Sequence, residues 1–289
     1  MSSHIYVLLY YKYTTVPQPD FEVLQHKLVC AGIGLKGRII IASEGINGTV
    51  AGTSAQLKQY TSYMNSHPVF GDIVFKRTAA AKVPFGKLIV RLRPEIVTLG
   101  KQVDLKNSAE YLSPENLHKM FEQKAKMVVI DMRNSFEHEV GHFEGSLDPG
   151  TDKFYQLPQK ISALNKYKSH KVVTVCTGGI RCEKASALLK EEGFEDVSQL
   201  EGGIVKYLEK YPNGYFKGKN FVFDERMVTN SDTQSGKNIL SKCAHCQKPC
   251  DRYLDCTIAV CNKLYISCAN CEKSHSGRCP AETMKVTIQ

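Results

Sequence analysis

The chain has 289 residues, and 38 Lys and Arg against 29 Asp and Glu give it a formal net charge of +9. An apolar fraction of 42% with 23% charged residues excludes wholesale disorder, and the length holds two or three domains with cores of their own. No apolar run approaches the ~18 residues of a membrane span, and Met1-Ser2-Ser3-His4 lacks the basic, apolar character of a signal peptide, so a cytoplasmic protein is expected.

Residues 1–105 predict a compact α+β domain. Residues 5–11 read as an apolar, aromatic strand, and Phe21, Leu24 and Leu28 carry helical spacing over residues 21–31, with Gly32 as the stop. Two β-rich runs, 38–43 and 48–51, flank Glu44-Gly45-Ile46-Asn47-Gly48, where Asn47-Gly48 signals a hairpin turn. A second helix over 57–64 and strands over 73–76 and 87–93 complete a β-α-β-β-α-β order. That order predicts a ferredoxin-like (split βαβ) sandwich. In the last strand, alternation sets Lys87, Ile89, Arg91 and Arg93 opposite Leu88, Val90 and Leu92. With Lys76, Arg77 and Lys82 close in sequence, this face suits RNA phosphates; the plainer reading is a solvated strand face.

Residues 106–218 predict a second domain. Ser113 and Pro114 open a helix whose Leu117, Met120 and Phe121 face inward. The apolar strand 127–130 ends at Asp131, a helical stretch over 161–167 precedes the apolar strand 172–175, and a helix begins near Glu183, with Gly193 able to end it. Short apolar strands alternating with helices predict a parallel sheet covered on both faces. The charge divides by segment: 12 Lys and Arg against 6 acids in residues 1–105, 16 against 16 in 106–218, and 10 against 7 in 219–289. The basic flanks suit a polyanionic partner such as RNA, although +9 is also ordinary solubility charge.

The most informative stretch is Val172-Val173-Thr174-Val175-Cys176-Thr177-Gly178-Gly179-Ile180-Arg181-Cys182-Glu183-Lys184. A buried strand delivers Cys176 to its C-terminal end, two glycines let the backbone curl, and a helix starts just beyond. Backbone N–H groups from Thr177, Gly178, Gly179, Ile180 and Arg181 then point at the sulfur together with the positive end of the helix dipole. Such an anion cradle lowers a thiol pKa, and the Arg181 guanidinium closes it. Cys182 either resolves a sulfur adduct on Cys176 as a disulfide or is simply packed.

This loop resembles the active-site loop of rhodanese-type sulfurtransferases. Asp131-Met132-Arg133-Asn134-Ser135-Phe136-Glu137, Gly141-His142-Phe143-Glu144-Gly145-Ser146 and Leu200-Glu201-Gly202-Gly203-Ile204 resemble framework segments of that family. The resemblance implies that Cys176 is the nucleophile and can carry sulfur as a persulfide. Four residues separate Cys176 from Arg181; related phosphatases have five, so the pocket is sized for a sulfane sulfur rather than a phosphate. His142 and Asp131 read as framework residues.

Eight of the eleven cysteines lie in residues 219–289. Two Cys-x2-Cys pairs, Cys243/Cys246 and Cys268/Cys271, have the spacing of a zinc-ribbon site, and Cys250, Cys256, Cys261 and Cys279 could form a second set, with His245 or His275 as substitutes. An iron–sulfur cluster, or reduced cysteines around a small apolar centre, are the other readings of this small Cys-rich module.

Taken together, a basic split βαβ domain (1–105), a rhodanese domain (106–218) and a Cys-rich module (219–289) resemble the bacterial rhodanese-containing tRNA uridine hydroxylase family. Ser43-Glu44-Gly45-Ile46-Asn47-Gly48-Thr49, Phe85-Gly86-Lys87 and Phe223-Asp224-Glu225-Arg226 belong to that resemblance. It implies oxygen-dependent 5-hydroxylation of the wobble uridine of tRNA, with molecular oxygen as co-substrate and Cys176 in the active loop. The residues themselves identify no cofactor for the chemistry, since no flavin, nicotinamide, haem or non-haem iron pattern is present. A plain sulfurtransferase, served by a sulfur-donor protein or small sulfur donor, and a metal-dependent adaptor built on the module are the alternatives.

Overall fold

A computed structural model describes residues 4–230, 239–261 and 263–281; the start of the chain, read above for a signal peptide, lies largely outside them. The chain divides into two compact units, Met1–Gln102 and Val103–Gln289.

The first unit runs β1 (Ile5–Tyr13), α1 (Pro19–Ile33), β2 (Lys36–Ala42), β3 (Gly45–Thr53), α2 (Ser54–Asn65), β4 (Lys76–Ala80) and β5 (Leu88–Leu92). The sheet order is β4-β1-β3-β2-β5. Its first four strands are antiparallel in the expected split βαβ order, and β5 adds at the edge parallel to β2. Leu8, Tyr10, Ile39, Ile41, Ile46, Val50 and Val90 turn to one side and form the core with Leu57, Tyr60 and Met64 of α2. Thr53 caps α2 reciprocally: its Oγ1 accepts from Gln56 N at 3.3 Å, and Gln56 Oε1 accepts from Thr53 N at 2.8 Å.

Three local expectations differ here. On α1 the stripe Phe21, Leu24 and Leu28 is exposed, and the buried one is Val23, His26 and Cys30. Both have i, i+3, i+7 spacing, so pattern alone cannot choose between two faces about 200° apart. His26 decides it: its Nδ1 pairs with Glu22 O at 2.9 Å and its ring packs on Phe70 and Tyr63, while burial lowers its pKa to about 4 and keeps it neutral. The helix runs on past Gly32 to a left-handed cap at Gly34. The hairpin turns at Ser43-Glu44, and Asn47-Gly48 lies inside β3, because Tyr10 leaves no room for a side chain there; a Cβ on Gly48 would sit 2.2 Å from its ring. The strand expected over 73–76 begins at Lys76, since Ile73 is held in a turn by its N–H to Phe70 O.

The second unit begins with β6 (Glu110–Leu112), α3 (Pro114–Glu122), β7 (Val128–Asp131), α4 (Ser135–Val140) and β8 (Gly141–Phe143). It continues with α5 (Leu157–Lys160), β9 (Lys171–Val175), α6 (Ile180–Glu191), β10 (Asp196–Leu200), α7 (Gly203–Lys210), β11 (Phe216–Phe221) and β12 (Val228–Asn230). The hairpin β13 (Tyr253–Asp255) and β14 (Leu264–Ile266) and the short helix α8 (Ala269–Ser274) close it. A parallel sheet, β6-β10-β9-β7, has Val129, Val173, Val175 and Leu200 in its core. Ser113 caps α3 by accepting from Asn116 N at 3.2 Å, with Pro114 in the first turn. The stretch 161–167 is a 3₁₀ helix continuing α5. β11 spans position 218 and pairs antiparallel with β8 and β12 in a separate three-stranded sheet, so the segment after the parallel sheet is stitched back to β8.

Candidate active site

Cys176 follows the last residue of β9 and is fully buried. Gly179 donates its N–H to Cys176 Sγ at 3.2 Å, and α6 begins at Ile180. The loop curls because its carbonyls are claimed from behind: the N–H groups of Ile204 and Val205, at the start of α7, bond Cys176 O and Thr177 O at 2.9 and 3.0 Å. Gly203 permits that approach, with φ +70° and a notional Cβ only 2.6 Å from Cys176 O. This is the physical content of the Leu200-Glu201-Gly202-Gly203-Ile204 motif. With those carbonyls turned outward, the Gly179 N–H faces the sulfur, and the N–H groups of Arg181 and Cys182 lower its pKa.

Burial by itself would push the Cys176 thiol up. The Cys182 side chain, the Arg181 charge and the backbone N–H groups of Cys182 and Arg181 outweigh it and bring the pKa down to about 6. Cys182 is also fully buried; burial and the neighbouring Cys176 hold its own ionisation well above the ordinary thiol value. The two shifts point the same way, favouring the anion on Cys176 and the neutral thiol on Cys182.

Arg181 does not float over the loop. It forks onto Glu137 of α4, Nη1 to Oε1 at 2.5 Å and Nη2 to Oε2 at 2.8 Å, with Nη2 also reaching Thr177 Oγ1 at 3.3 Å. Arg181 is 6% exposed and Glu137 0%. Glu137 in turn accepts Asn134 N at 3.0 Å in a capping box that starts α4. A second buried pair braces the region. Arg133 holds both oxygens of Asp131 through Nε (2.9 and 3.0 Å), and its Nη2 also binds Gly141 O at 2.6 Å. Burial would raise the Asp131 carboxyl, but Arg133 keeps it below the usual carboxylate range. His142 lies in β8, with Nδ1 on His138 O and its ring stacked on His138, apart from the loop. Glu137 and Gly203 are the positions whose roles sequence reasoning missed, although both stand in segments it singled out.

In the first unit, Lys87, Arg91 and Arg93 are exposed in and beside β5. Pairing register adds to them. Ile40 lies opposite Arg91 and Arg38 opposite Ile89; Arg38 lies opposite Thr49, Thr49 opposite Leu9, and Leu9 opposite Lys76. Directly paired residues share a face, so Arg38 and Lys76 join Arg91 on the side of the sheet facing away from the helices. Tyr11, paired with Asn47, is on that face too, with the Lys76 ammonium 5.1 Å from its ring.

In the cysteine-rich segment, Cys243, Cys246, Cys268 and Cys271 converge, with all four ligand atoms within 4.8 Å of one another. A Zn–S bond of about 2.3 Å makes a tetrahedral S–S edge of about 3.8 Å, and Cys246 Sγ lies 3.8 Å from Cys268 Sγ. Burial would raise Cys243, but N–H groups of Cys246, Cys268 and His245 bring it down to about 5, toward the thiolate a metal requires. These four residues can hold a metal ion. The second expected set does not assemble as such: Cys256, Cys261 and Cys279 cluster, whereas Cys250 points into the apolar core with Tyr253, Ile266 and Phe221. Tyr253 OH donates to Phe136 O, the residue before Glu137, so the segment buttresses α4. Among the described residues no helix is long and apolar enough to cross a membrane.

Three family models match the chain: a UPF0176 acylphosphatase like domain over residues 5–96, a rhodanese-like domain over 113–210, and a rhodanase C-terminal domain over 217–283. A tRNA uridine(34) hydroxylase of Cytophaga hutchinsonii is 42% identical over 278 residues, covering 96% of this chain and 88% of that protein. One of Staphylococcus aureus is 42% identical over 286 residues, covering 96% and 89%. Among solved structures, the Alr3790 protein of Anabaena sp. matches 40% of this chain and 96% of its own at 24% identity, with a TM-score of 0.32. At 42% identity over 96% of its length, the chain belongs to the tRNA uridine(34) hydroxylase family.

Proposed function

We propose that this chain is a tRNA-modifying oxidoreductase that hydroxylates C5 of uridine 34, with Cys176 as the reacting thiolate. The observation that carries the reading is the 42% identity to tRNA uridine(34) hydroxylases across 96% of the chain. A buried thiol whose pKa lies near 6 agrees with it. Replacing C5–H by C5–OH removes two electrons from the base. Molecular oxygen, implied by the family resemblance, accepts those two and two more from a reductant, leaving one oxygen atom on the base and one as water. The loop N–H groups and the Glu137-tethered Arg181 keep the sulfur anionic in a dry site, where an anion so held costs little reorganisation on reaction.

The substrate is a polyanion, and the basic sheet face carrying Arg38, Lys76, Lys87, Arg91 and Arg93 is the surface we assign to it. The four-cysteine cluster serves as a structural zinc site that braces α4 through Tyr253. The test is nucleoside mass spectrometry of tRNA from a deletion strain complemented with the wild type or with Cys176→Ser. The wild type restores 5-hydroxyuridine and the variant does not; restoration by the variant overturns the assignment of Cys176.

The loop that holds Cys176, with Gly179 N–H on its sulfur, favours one further reading, in which the thiolate attacks the sulfane sulfur of a donor and carries it as a persulfide, releasing sulfite from thiosulfate or the thiolate of a sulfur-donor protein. Incubating the full chain with thiosulfate and measuring its intact mass decides this: a persulfide on the wild type that is absent from Cys176→Ser supports it, and an unmodified chain overturns it.

A further inference from the structure

We infer that Cys256, Cys261 and Cys279 form a second thiolate metal site for a zinc-class ion, interleaved with the first so that one hairpin spans both. The three ligand atoms lie within 4.8 Å of one another, and Cys261 Sγ is 3.7 Å from Cys279 Sγ, again the edge of a tetrahedral zinc–thiolate site. The two clusters use the same backbone device. Cys268 donates its N–H to Cys243 Sγ at 3.4 Å, and Cys279 donates its N–H to Cys256 Sγ at 3.4 Å. Each thiolate is thus stabilised by the chain that brings in the later ligand.

Chain order makes the arrangement a cross-brace. Cys243 and Cys246 belong to the first cluster, Cys256 and Cys261 to the second, Cys268 and Cys271 to the first, and Cys279 to the second. The β13–β14 hairpin provides the span. Cys256 follows β13 and Cys261 lies in the connection, so the second cluster sits at the turn; Cys268 follows β14, so the first sits at the open end. Three paired residues at ~3.3 Å each set the two roughly 10 Å apart. Return of the chain to the second cluster is fixed by Thr257 N bonding Gly277 O at 3.0 Å.

The physical need is clear from the packing. Among the described residues around the second cluster, only Tyr265 is a large, well-buried apolar side chain, with Leu254 and Ile258 partly buried. So small an apolar centre does not hold a segment of this length, and metal–thiolate bonds supply what the core lacks. Cys250 packs in the same apolar cluster as Cys243 and Cys268 but belongs to neither group of converging sulfurs, and it serves as the internal control.

The experiment measures zinc by inductively coupled plasma mass spectrometry on the untagged, full-length protein and its single variants. The wild type should carry two zinc ions, Cys261→Ser and Cys246→Ser one each, and Cys250→Ser two. One ion in the wild type, or two retained in Cys261→Ser, overturns the inference. Should a variant fail to fold, cobalt titration of metal-free wild type gives an independent reading: thiolate-to-cobalt absorbance should saturate at two equivalents, and saturation at one refutes the second site. A disulfide joining any two of Cys256, Cys261 and Cys279 in protein purified without oxidant refutes it as well.

Discussion

Replacing Glu137 by Gln should destabilise the second unit while making Cys176 more acidic, two effects that a loss of folding alone would not couple. The clamp it breaks is bidentate, at 2.5 and 2.8 Å, with Arg181 6% and Glu137 0% exposed. Removing one charge of a buried pair leaves the other desolvated and uncompensated, which costs about 3–5 kcal/mol. The amide keeps one hydrogen bond, so the lower end applies, about 3 kcal/mol. For a unit the size of Val103–Gln289, at about 2–4 °C per kcal/mol, that is a fall of about 6–12 °C in melting midpoint. At the same time Arg181 no longer shares its charge with a carboxylate, so its field at Cys176 grows and the thiol pKa should drop below about 6. Scanning calorimetry on the full chain reads the first effect, and the pH dependence of iodoacetamide alkylation at Cys176 reads the second. Glu139→Gln, exposed on the same helix, should change stability by no more than about 0.5 kcal/mol. A melting shift below about 2 °C refutes the buried-clamp argument, and a rise in the Cys176 pKa refutes the electrostatic one.

Alkylation of wild-type Cys176 should be half-maximal near pH 6 rather than near the pKa of an ordinary thiol. Because the folded pKa lies below the unfolded one, the unfolded chain binds more protons between about pH 6 and 9, and the associated stability is present above pH 9 and lost as pH falls toward 6; calorimetry across that window should show the slope, and Cys176→Ser should flatten it. Gly203→Ala forces a side chain at φ +70° against Cys176 O and Thr177 O, at 2.6 and 2.7 Å, so a loss of about 2–4 kcal/mol and a raised Cys176 pKa are expected from denaturant melts and alkylation profiles. Reversing Lys87, Arg91 and Arg93 together to Glu should weaken tRNA binding and reduce the slope of log affinity against log salt by about 2–3 in fluorescence titrations; an unchanged slope removes the sheet face from the interface. Tyr253→Phe frees the Phe136 carbonyl at a cost of about 1–2 kcal/mol, and a thermal melt of the second unit should register it.

The strand-to-helix loop around Cys176 was legible from its residues, because a short apolar strand, two glycines and a helix start specify a backbone curl locally, and the nearby Arg181 follows from spacing. The split βαβ order was legible for the same reason: strands and helices that alternate at these lengths have few ways to pack. Which face of α1 is buried was not, since two stripes of equal spacing compete and the choice fell to His26 packing on Phe70 and Tyr63. Nor was the partner of Arg181, because Glu137 lies 44 positions away and meets it only when α4 docks beside the loop. The cysteine spacing grouped Cys243, Cys246, Cys268 and Cys271, which the fold brings together. It could not assign the rest, because grouping depends on how the β13–β14 hairpin folds back, and that fold puts Cys250 in an apolar cluster and Cys279 beside Cys256. Local sequence thus determined the elements, the loop that holds Cys176 and the Asp131–Arg133 pair, while long-range packing decided the Glu137 clamp on Arg181 and the grouping of the remaining cysteines.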